Sequence, residues 1–250
     1  MRFLDIFADP NRPAIDVGGN VGSFSDLLLG LCNHLYVYEP LPDLSAHLKE
    51  KYKKNKNVTV RNVALSNKAG KAIIHTPRYV NPEVHRDSFV SGWSSIAKDY
   101  KALQSKYPSK FPIIKDTKIR TVKLDDENIE DVGFIKIDVE GFEWEVLQGS
   151  KKTILKHHPV LLIELEERHR KGCIKKVSTY MRQFGYQGYF FIDGKILPIS
   201  RFSIARMQQG KVFPGPVDKK KYPHYIFNFL FLPLKSRNMV LKSVKTRLAR

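Results

Sequence analysis

Two runs carry residue types at spacings that can do chemistry: Asp16-Val17-Gly18-Gly19-Asn20-Val21-Gly22, and Lys136-Ile137-Asp138-Val139-Glu140-Gly141-Phe142-Glu143. The first sets an acid, paired glycines and an amide between an apolar run, Ala14 to Val17, and a helical pattern, Phe24 to Leu31. Strand, glycine turn and helix in that order build a nucleotide-binding crevice. A dinucleotide fingerprint counted from Gly18 needs glycines at 20 and 23, where a pyrophosphate meets bare backbone. This chain has Asn20 and Ser23 instead. A loop with Asp16 before it and Asn20 within it suits a ligand bearing amino and carboxylate groups, and S-adenosylmethionine is such a ligand. Further on, His34 to Tyr38 reads as a second strand closed by Glu39, where a carboxylate can accept hydrogen bonds from both hydroxyls of a ribose.

In the second run, Lys136, Asp138 and Glu140 alternate with Ile135, Ile137 and Val139. On a central parallel strand both faces are covered, so charged side chains there must be paired or open into a site. The carboxyl end of such a strand is where open α/β sheets bind ligands. Methyl transfer from a sulfonium needs the acceptor atom aligned opposite the sulfur and any proton on it removed. Asp138 is the first candidate base, Glu140 the second, and His169, just past the next strand, the third. Carboxylates of Asp138, Glu140 and Glu164 suit magnesium. Nothing in their spacing demands an ion, and no metal is expected.

These residues need a scaffold, and the chain alternates strand and helix around them. Val58 to Asn62, Lys71 to Thr76, Lys118 to Leu124, Phe134 to Val139, Pro159 to Leu165, Tyr186 to Ile192 and Tyr225 to Phe231 read as strands, and Phe142 to Lys156 and Lys175 to Phe184 as helices. Strands separated by helices imply a mostly parallel sheet with right-handed crossovers. The 250 residues, 42% of them hydrophobic, suffice for one α/β domain, expected over residues 1–234. A formal charge of +18 favours an anionic partner without choosing among nucleic acid, acidic glycan and lipid headgroups. Cys32 and Cys173 are far apart and belong to no C-x-x-C, which predicts two buried thiols in a reducing, cytoplasmic compartment. The start of the chain lacks the apolar core of a signal peptide. Its longest apolar stretch, Ile226 to Leu234, is broken by Asn228 and Pro233 and falls short of the ~20 residues that span a bilayer. A soluble protein is expected.

Taken together, the Asp16 to Gly22 loop, Tyr38-Glu39-Pro40, Asn62-Val63-Ala64-Leu65-Ser66, Ile135 to Glu143 with Val146-Leu147-Gln148-Gly149, Pro159 to Glu164 with Glu166-Glu167-Arg168-His169, and Gly185-Tyr186 to Tyr189-Phe190 resemble FkbM-type S-adenosylmethionine-dependent methyltransferases. The likeness runs over roughly residues 12 to 200. It implies the class I methyltransferase Rossmann-like fold, a mostly parallel seven-stranded sheet with helices on both faces and a last antiparallel strand at Tyr225 to Phe231. It also implies that Asp16, Gly18, Asn20 and Gly22 hold the methionine end of S-adenosylmethionine, that Glu39 holds the ribose, and that Asn62 and Ala64 border the adenine. Asp138 and Glu140 would face the acceptor. Family acceptors include hydroxyls of sugars and polyketides, so O-methylation is the implied reaction, here of a glycan or glycolipid sugar. The family usually carries a small residue such as alanine where this chain has Gly19.

Two segments lie outside the resemblance. The insertion from Arg78 to Asp116 is long for a connection inside a compact domain and reads as an acceptor-side lid. Within it, Trp93, with Tyr79 and His85, can stack on a sugar ring while Ser94 and Ser95 bond its hydroxyls. The tail, residues 235–250, carries Lys235, Arg237, Lys242, Lys245, Arg247 and Arg250 without an acid, interleaved with apolar residues. That pattern fits a basic amphipathic helix at the anionic inner face of a membrane, where a lipid-linked acceptor would be presented, and fits a solvated terminus as well. Two rival classes remain: a nucleic-acid methyltransferase, prompted by charge alone and lacking the N-P-P-[YF] tetrapeptide, and a catalytically silent binding domain that keeps the crevice.

Overall fold

The computed structural model describes residues 3–80, 87–89, 94–96, 105, 113–208 and 224–248. Helices α1 (Leu4–Phe7), α2 (Ser23–Leu28) and α3 (Pro42–Lys51) alternate with strands β1 (Ala14–Val17), β2 (Leu35–Tyr38) and β3 (Val58–Arg61). Strands β4 (Ala64–Leu65), β5 (Gly70–Val80), β6 (Asp87–Phe89) and β7 (Ile113–Val122) follow. Then come β8 (Phe134–Ile137), α4 (Glu143–Gly149), α5 (Lys151–His157), β9 (Val160–Glu164), α6 (Cys173–Gln183), β10 (Tyr186–Ile192), β11 (Lys195–Pro198), α7 (Ile204–Met207), β12 (Asn228–Pro233) and α8 (Arg237–Leu248).

The main sheet has eight strands in the order β11-β10-β12-β9-β8-β1-β2-β3. From β9 to β3 all neighbours are parallel, and β12 runs antiparallel to both β9 and β10. This is the doubly wound class I methyltransferase sheet, with one strand more than the seven expected. The addition is β11, which folds back on β10 across the Asp193-Gly194 turn, where both residues have positive φ. The last antiparallel strand begins at Asn228 rather than Tyr225. The two runs expected at Lys71 to Thr76 and Lys118 to Leu124 do not join this sheet. They lengthen into β5 and β7, which pair antiparallel and form a second sheet, β4-β7-β5-β6. Those strands therefore take in both ends of the segment read as a long insertion.

Alternation along the central strands sorts the core into two layers. Ile15, Val17, Ile135, Ile137, Leu161 and Ile163 pack with Val146, Leu147 and Ile154 of α4 and α5 and with Val177 and Met181 of α6. Ala14, Leu35, Val37, Phe134 and Leu162 pack on the other face with Leu28, Leu48, Val240 and Val244. Burial on both faces explains why these strands are nearly continuous apolar runs. It also makes Asp16 and Lys136 on the second face the exceptions needing explanation. The terminal helix α8 belongs to that face. It buries Val240 and Val244 against the core, and Arg247 forms an ion pair with Asp5 at 2.6 Å. Both cysteines are buried and free. No helix among the described residues is long and apolar enough to cross a membrane.

Candidate active site

Strand register gathers the site. Val17 lies beside Tyr38 and Ile137, and Ile137 beside Ile163, so the residues that follow, Gly18, Glu39, Asp138 and Glu164, emerge along one edge. Asn228 opposes Glu164 at the start of β12 and extends the row. A cavity of about 390 Å³ opens over this edge, lined by Gly18 to Val21, Glu39, Lys136, Asp138, Glu140, Glu164 and Asn228, with an apolar wall that includes Phe24, Leu41, Val63, Ala64 and Ile74.

The glycine turn is made by backbone. Gly18 and Gly19 both donate their N–H groups to the Tyr38 carbonyl, at 2.9 and 3.1 Å, which pins the loop across the end of β2. Gly18 has φ +87, and a Cβ there would lie 1.9 Å from the Asp138 carbonyl oxygen, so only glycine lets β1 leave the sheet this close to β8. Asn20, also with positive φ (48), donates its N–H to Glu39 Oε2 at 2.8 Å, and Leu41 N–H reaches Glu39 Oε1 at 2.9 Å. Each Glu39 oxygen keeps further lone-pair capacity for a ligand. Burial pushes the Glu39 carboxyl up to about 7, the two backbone N–H groups opposing the shift. Asn20 Oδ1 is buried without a hydrogen-bond partner among the described residues, and so is Asp16 Oδ1. A cavity-lining loop with an orphaned acceptor fits a ligand carrying an ammonium group, and the Glu39 carboxylate fits a ribose. The residues present therefore fit S-adenosylmethionine.

Not every residue read from the sequence touches the cavity. Asp16 is fully buried behind it, accepting from Ser25 Oγ–H at 2.6 Å and lying 3.8 Å from Lys136 Nζ. Gly22 takes φ +84 at the start of α2 and likewise does not line it. Asn62 braces the turn after β2, its Nδ2 donating to the Glu39 and Pro40 carbonyls at 3.0 Å each, while Ala64 lines the apolar wall. Ser94 lines the cavity; Ser95 instead donates its hydroxyl to the Glu140 carbonyl at 2.6 Å. Trp93 and His85 lie outside the described residues.

The acidic floor is shared by several elements. Lys136, buried in β8, places Nζ 3.0 Å from Asp138 Oδ2 and over the Phe24 ring. Burial works against its charge, but Asp138 and Asp16 outweigh it and hold its pKa above the usual lysine value. Oxygens of Asp138, Glu140 and Glu164 lie within 4.8 Å of one another, a spacing a hard cation can bridge. Glu140 takes positive φ (54) in the turn after β8, and its Oε2 lies 3.2 Å from His169 Nε2. His169 does not line the cavity; it sits behind Glu140, also 3.4 Å from Glu166 Oε1. Glu166 is in turn held by Arg168 at 2.7 Å and by the Tyr225 hydroxyl at 2.7 Å. Glu143 folds back as a buried acceptor for the Gly141 N–H at 2.9 Å, its carboxyl pushed up to about 7 by burial. Asn228 was not singled out from sequence as a site residue. The available signal was a polar residue opening the apolar run Phe229 to Leu232.

The family profile described as Methyltransferase FkbM domain matches residues 16–187. Among solved structures, the methyltransferase FkbM from Methylobacillus flagellatus KT is similar over 89% of this chain at 15% identity with a TM-score of 0.52, and this chain spans 44% of that protein's length. SMU.1697c, a putative methyltransferase from Streptococcus mutans in complex with SAH, aligns over 92% of this chain and 93% of its own at 11% identity and a TM-score of 0.48. No curated protein sequence matches. The matched domain covers most of the chain, and its glycine turn, Glu39 and K-I-D-V-E-G-F-E run meet at one cavity: the chain belongs to the FkbM methyltransferase family, whose methyl donor is S-adenosylmethionine.

Proposed function

We propose that this protein methylates a hydroxyl on a sugar of a glycan or glycolipid. The observation that carries the reading is the row of carboxylates, Asp138, Glu140 and Glu164, on the cavity floor beside the Gly18 turn. The donor supplies an electrophilic methyl group on a positively charged sulfur. Gly18, Asn20 and Glu39 would hold that donor, with Asn20 Oδ1 placed for its ammonium and Glu39 for its ribose. The carboxylate row lies on the floor of the cavity that would hold the donor, and would receive the acceptor's proton. Ser94 and Asn228 supply polar contacts to a polyhydroxylated acceptor, and Ile74 and Ile96 an apolar wall for its ring faces. The exposed lysines of α8 and the net charge of +18 fit a lipid-linked acceptor at an anionic membrane surface, and the two free thiols fit its cytoplasmic side.

The test supplies methyl-labelled S-adenosylmethionine with polysaccharide, glycolipid and RNA fractions. Label recovered as a methyl ether on a sugar is the expected outcome. Label confined to RNA would replace this reading with the nucleic-acid one that the net charge also allows. In parallel, Glu39→Ala removes an acceptor for two ribose hydroxyls, each bond to a charged acceptor being worth about 1.5–3 kcal/mol. Calorimetry is expected to show S-adenosylmethionine affinity reduced at least 100-fold. Undiminished affinity would place the ribose elsewhere.

A further inference from the structure

We propose that Glu164, at the end of β9, is the general base for this transfer, and that Asp138 with Lys136 orients the acceptor hydroxyl. The inference rests on the hydroxyl-methylation reading above and asks which of the three floor carboxylates takes the proton. Their surroundings separate them. Asp138 already accepts a charge-assisted hydrogen bond from the buried Lys136 ammonium at 3.0 Å, a bond that would weaken as the carboxylate gained a proton. Glu140 is engaged from behind by His169 at 3.2 Å. Glu164 lines the same cavity and has no hydrogen-bond or ion-pair partner among the described residues, so accepting a proton breaks nothing. Five other charged or titratable groups act on it: Lys136 from β8, Asp138 just past its end, Glu140 from the following turn, Glu166 from the loop after β9, and Tyr225. Burial first, then Asp138, Glu166 and Glu140, raise its carboxyl well above the usual range, with Lys136 pulling the other way. A base poised nearer neutrality than an ordinary carboxylate combines ionisation with proton affinity.

In the step itself the acceptor oxygen forms a bond to the methyl carbon. The carbon–sulfur bond breaks with its electron pair left on sulfur, and the hydroxyl proton passes to Glu164 and then to solvent. The Asp138–Lys136 pair keeps its hydrogen bond throughout and offers a fixed acceptor and donor to the same hydroxyl or its neighbour.

Glu164→Gln is compared with wild type and Asp138→Asn on a sugar acceptor and on the same acceptor with a thiol in place of the hydroxyl. The expected Glu164→Gln protein melts at or above the wild-type temperature at pH 8, because a buried charge has been removed, and keeps S-adenosylmethionine affinity within about twofold. Its kcat on the hydroxyl falls on the order of 10²–10⁴-fold. Transfer to the thiol near pH 9, where the nucleophile is already ionised, is largely restored. Asp138→Asn raises KM for both acceptors. Wild-type kcat rises with pH through the raised Glu164 value, since the ionised carboxylate is the active form, and that limb is absent from Glu164→Gln. Independently of turnover, carboxyl-carbon NMR of the cofactor-free protein should show several resonances titrating above the usual glutamate range, of which one disappears in Glu164→Gln while those of Glu39 and Glu143 remain. Full hydroxyl turnover by Glu164→Gln, or equal loss on hydroxyl and thiol, overturns the assignment. So does abolition of activity by EDTA with recovery on adding magnesium, which would make Glu164 a ligand rather than a base. Failure of the underlying reading is distinct, because wild type itself would then transfer methyl to no sugar hydroxyl.

Discussion

Gly19 sits where a methyl group has no room: a Cβ there would lie 2.3 Å from Val37 Cγ1 and 3.2 Å from Leu48 Cδ1. The resembled family tolerates alanine at this position, and here the neighbouring valine and leucine have taken the space. Gly19→Ala is therefore expected to destabilise the fold by about 1–3 kcal/mol, as overpacking does. Val37→Ala makes the room, so the double variant should lose less than the sum of the single changes, with a coupling of about 1 kcal/mol or more in denaturant unfolding. Strict additivity would mean that the loop simply shifts. Single residues were the scale at which the sequence spoke most plainly. Gly18, Asn20 and Glu39 could be placed on one crevice because a glycine turn after a strand has few physical uses. Which acid was already partnered could not be read, because the Lys136–Asp138 contact and the His169–Glu140 contact depend on side-chain directions and on a turn with two successive positive φ values.

The helix expected from Phe142 to Lys156 is two helices, and the reason lies in an element far away in sequence. Gly149 passes so close to the turn after β4 that a Cβ would lie 1.9 Å from the Ser66 carbonyl oxygen. Ser150 then turns its hydroxyl back to the Val146 carbonyl at 2.7 Å, and α5 restarts with Asp125 accepting from Lys152 and Thr153 N–H at 3.0 and 2.9 Å. Helical periodicity continues through such a break, so the sequence pattern hides it. Gly149→Ala would gain about 1 kcal/mol of helix propensity in isolation. Against the Ser66 backbone the sign should reverse, to a net loss of about 2 kcal/mol or more in urea unfolding; a stabilised variant would show that α4 and β4 can separate freely. Asp125→Ala removes the acceptor at the start of α5 and should lose about 1–2 kcal/mol. The tail illustrates the opposite case, since its basic and apolar alternation does form a helix, with Val240 and Val244 turned into the protein's own core. Its exposed lysines, Lys242 and Lys245, are the residues the proposed membrane contact would use. Lys242→Gln with Lys245→Gln should lower pelleting with anionic vesicles at low salt by about 30-fold, at about 1 kcal/mol per lysine. Unchanged pelleting would remove α8 from the contact.

Across the whole molecule, the parallel sheet was legible because its strands are buried on both faces and read as unbroken apolar runs. The second sheet was not, because β5 and β7 keep no clean alternation, with Ile73-Ile74 and Ile113-Ile114 adjacent and Lys115 to Lys118 all polar, and say nothing about their partner. Placing the site at the carboxyl edge of the main sheet also concentrates buried acids there, and this has a consequence for stability. Glu39 and Glu143 ionise at about 7 in the fold, principally through burial, while unfolded glutamate ionises near 4.5. Asp16 and Glu164 are raised as well, burial again being the main cause. Between those limits the folded chain retains protons that the unfolded chain has released, so unfolding free energy falls as pH rises. Each of the two glutamates accounts for about 3 kcal/mol at most over the full window. His34 and His157, held below the usual histidine range by burial, act the other way and favour the fold as pH rises to about 6.5. With four raised carboxylates against two lowered histidines, the cofactor-free protein is expected to be most stable near pH 5 and to weaken steadily to pH 8. Under the proposed reading the donor's ribose is held by ionised Glu39, so stabilisation by S-adenosylmethionine should grow over the same interval. Urea unfolding at pH 5, 6, 7 and 8, with and without the donor, checks both trends, and Glu39→Gln should flatten the first by about one proton. A cofactor-free protein that gained stability up to pH 8 would mean that these carboxylates ionise in the fold as readily as in water.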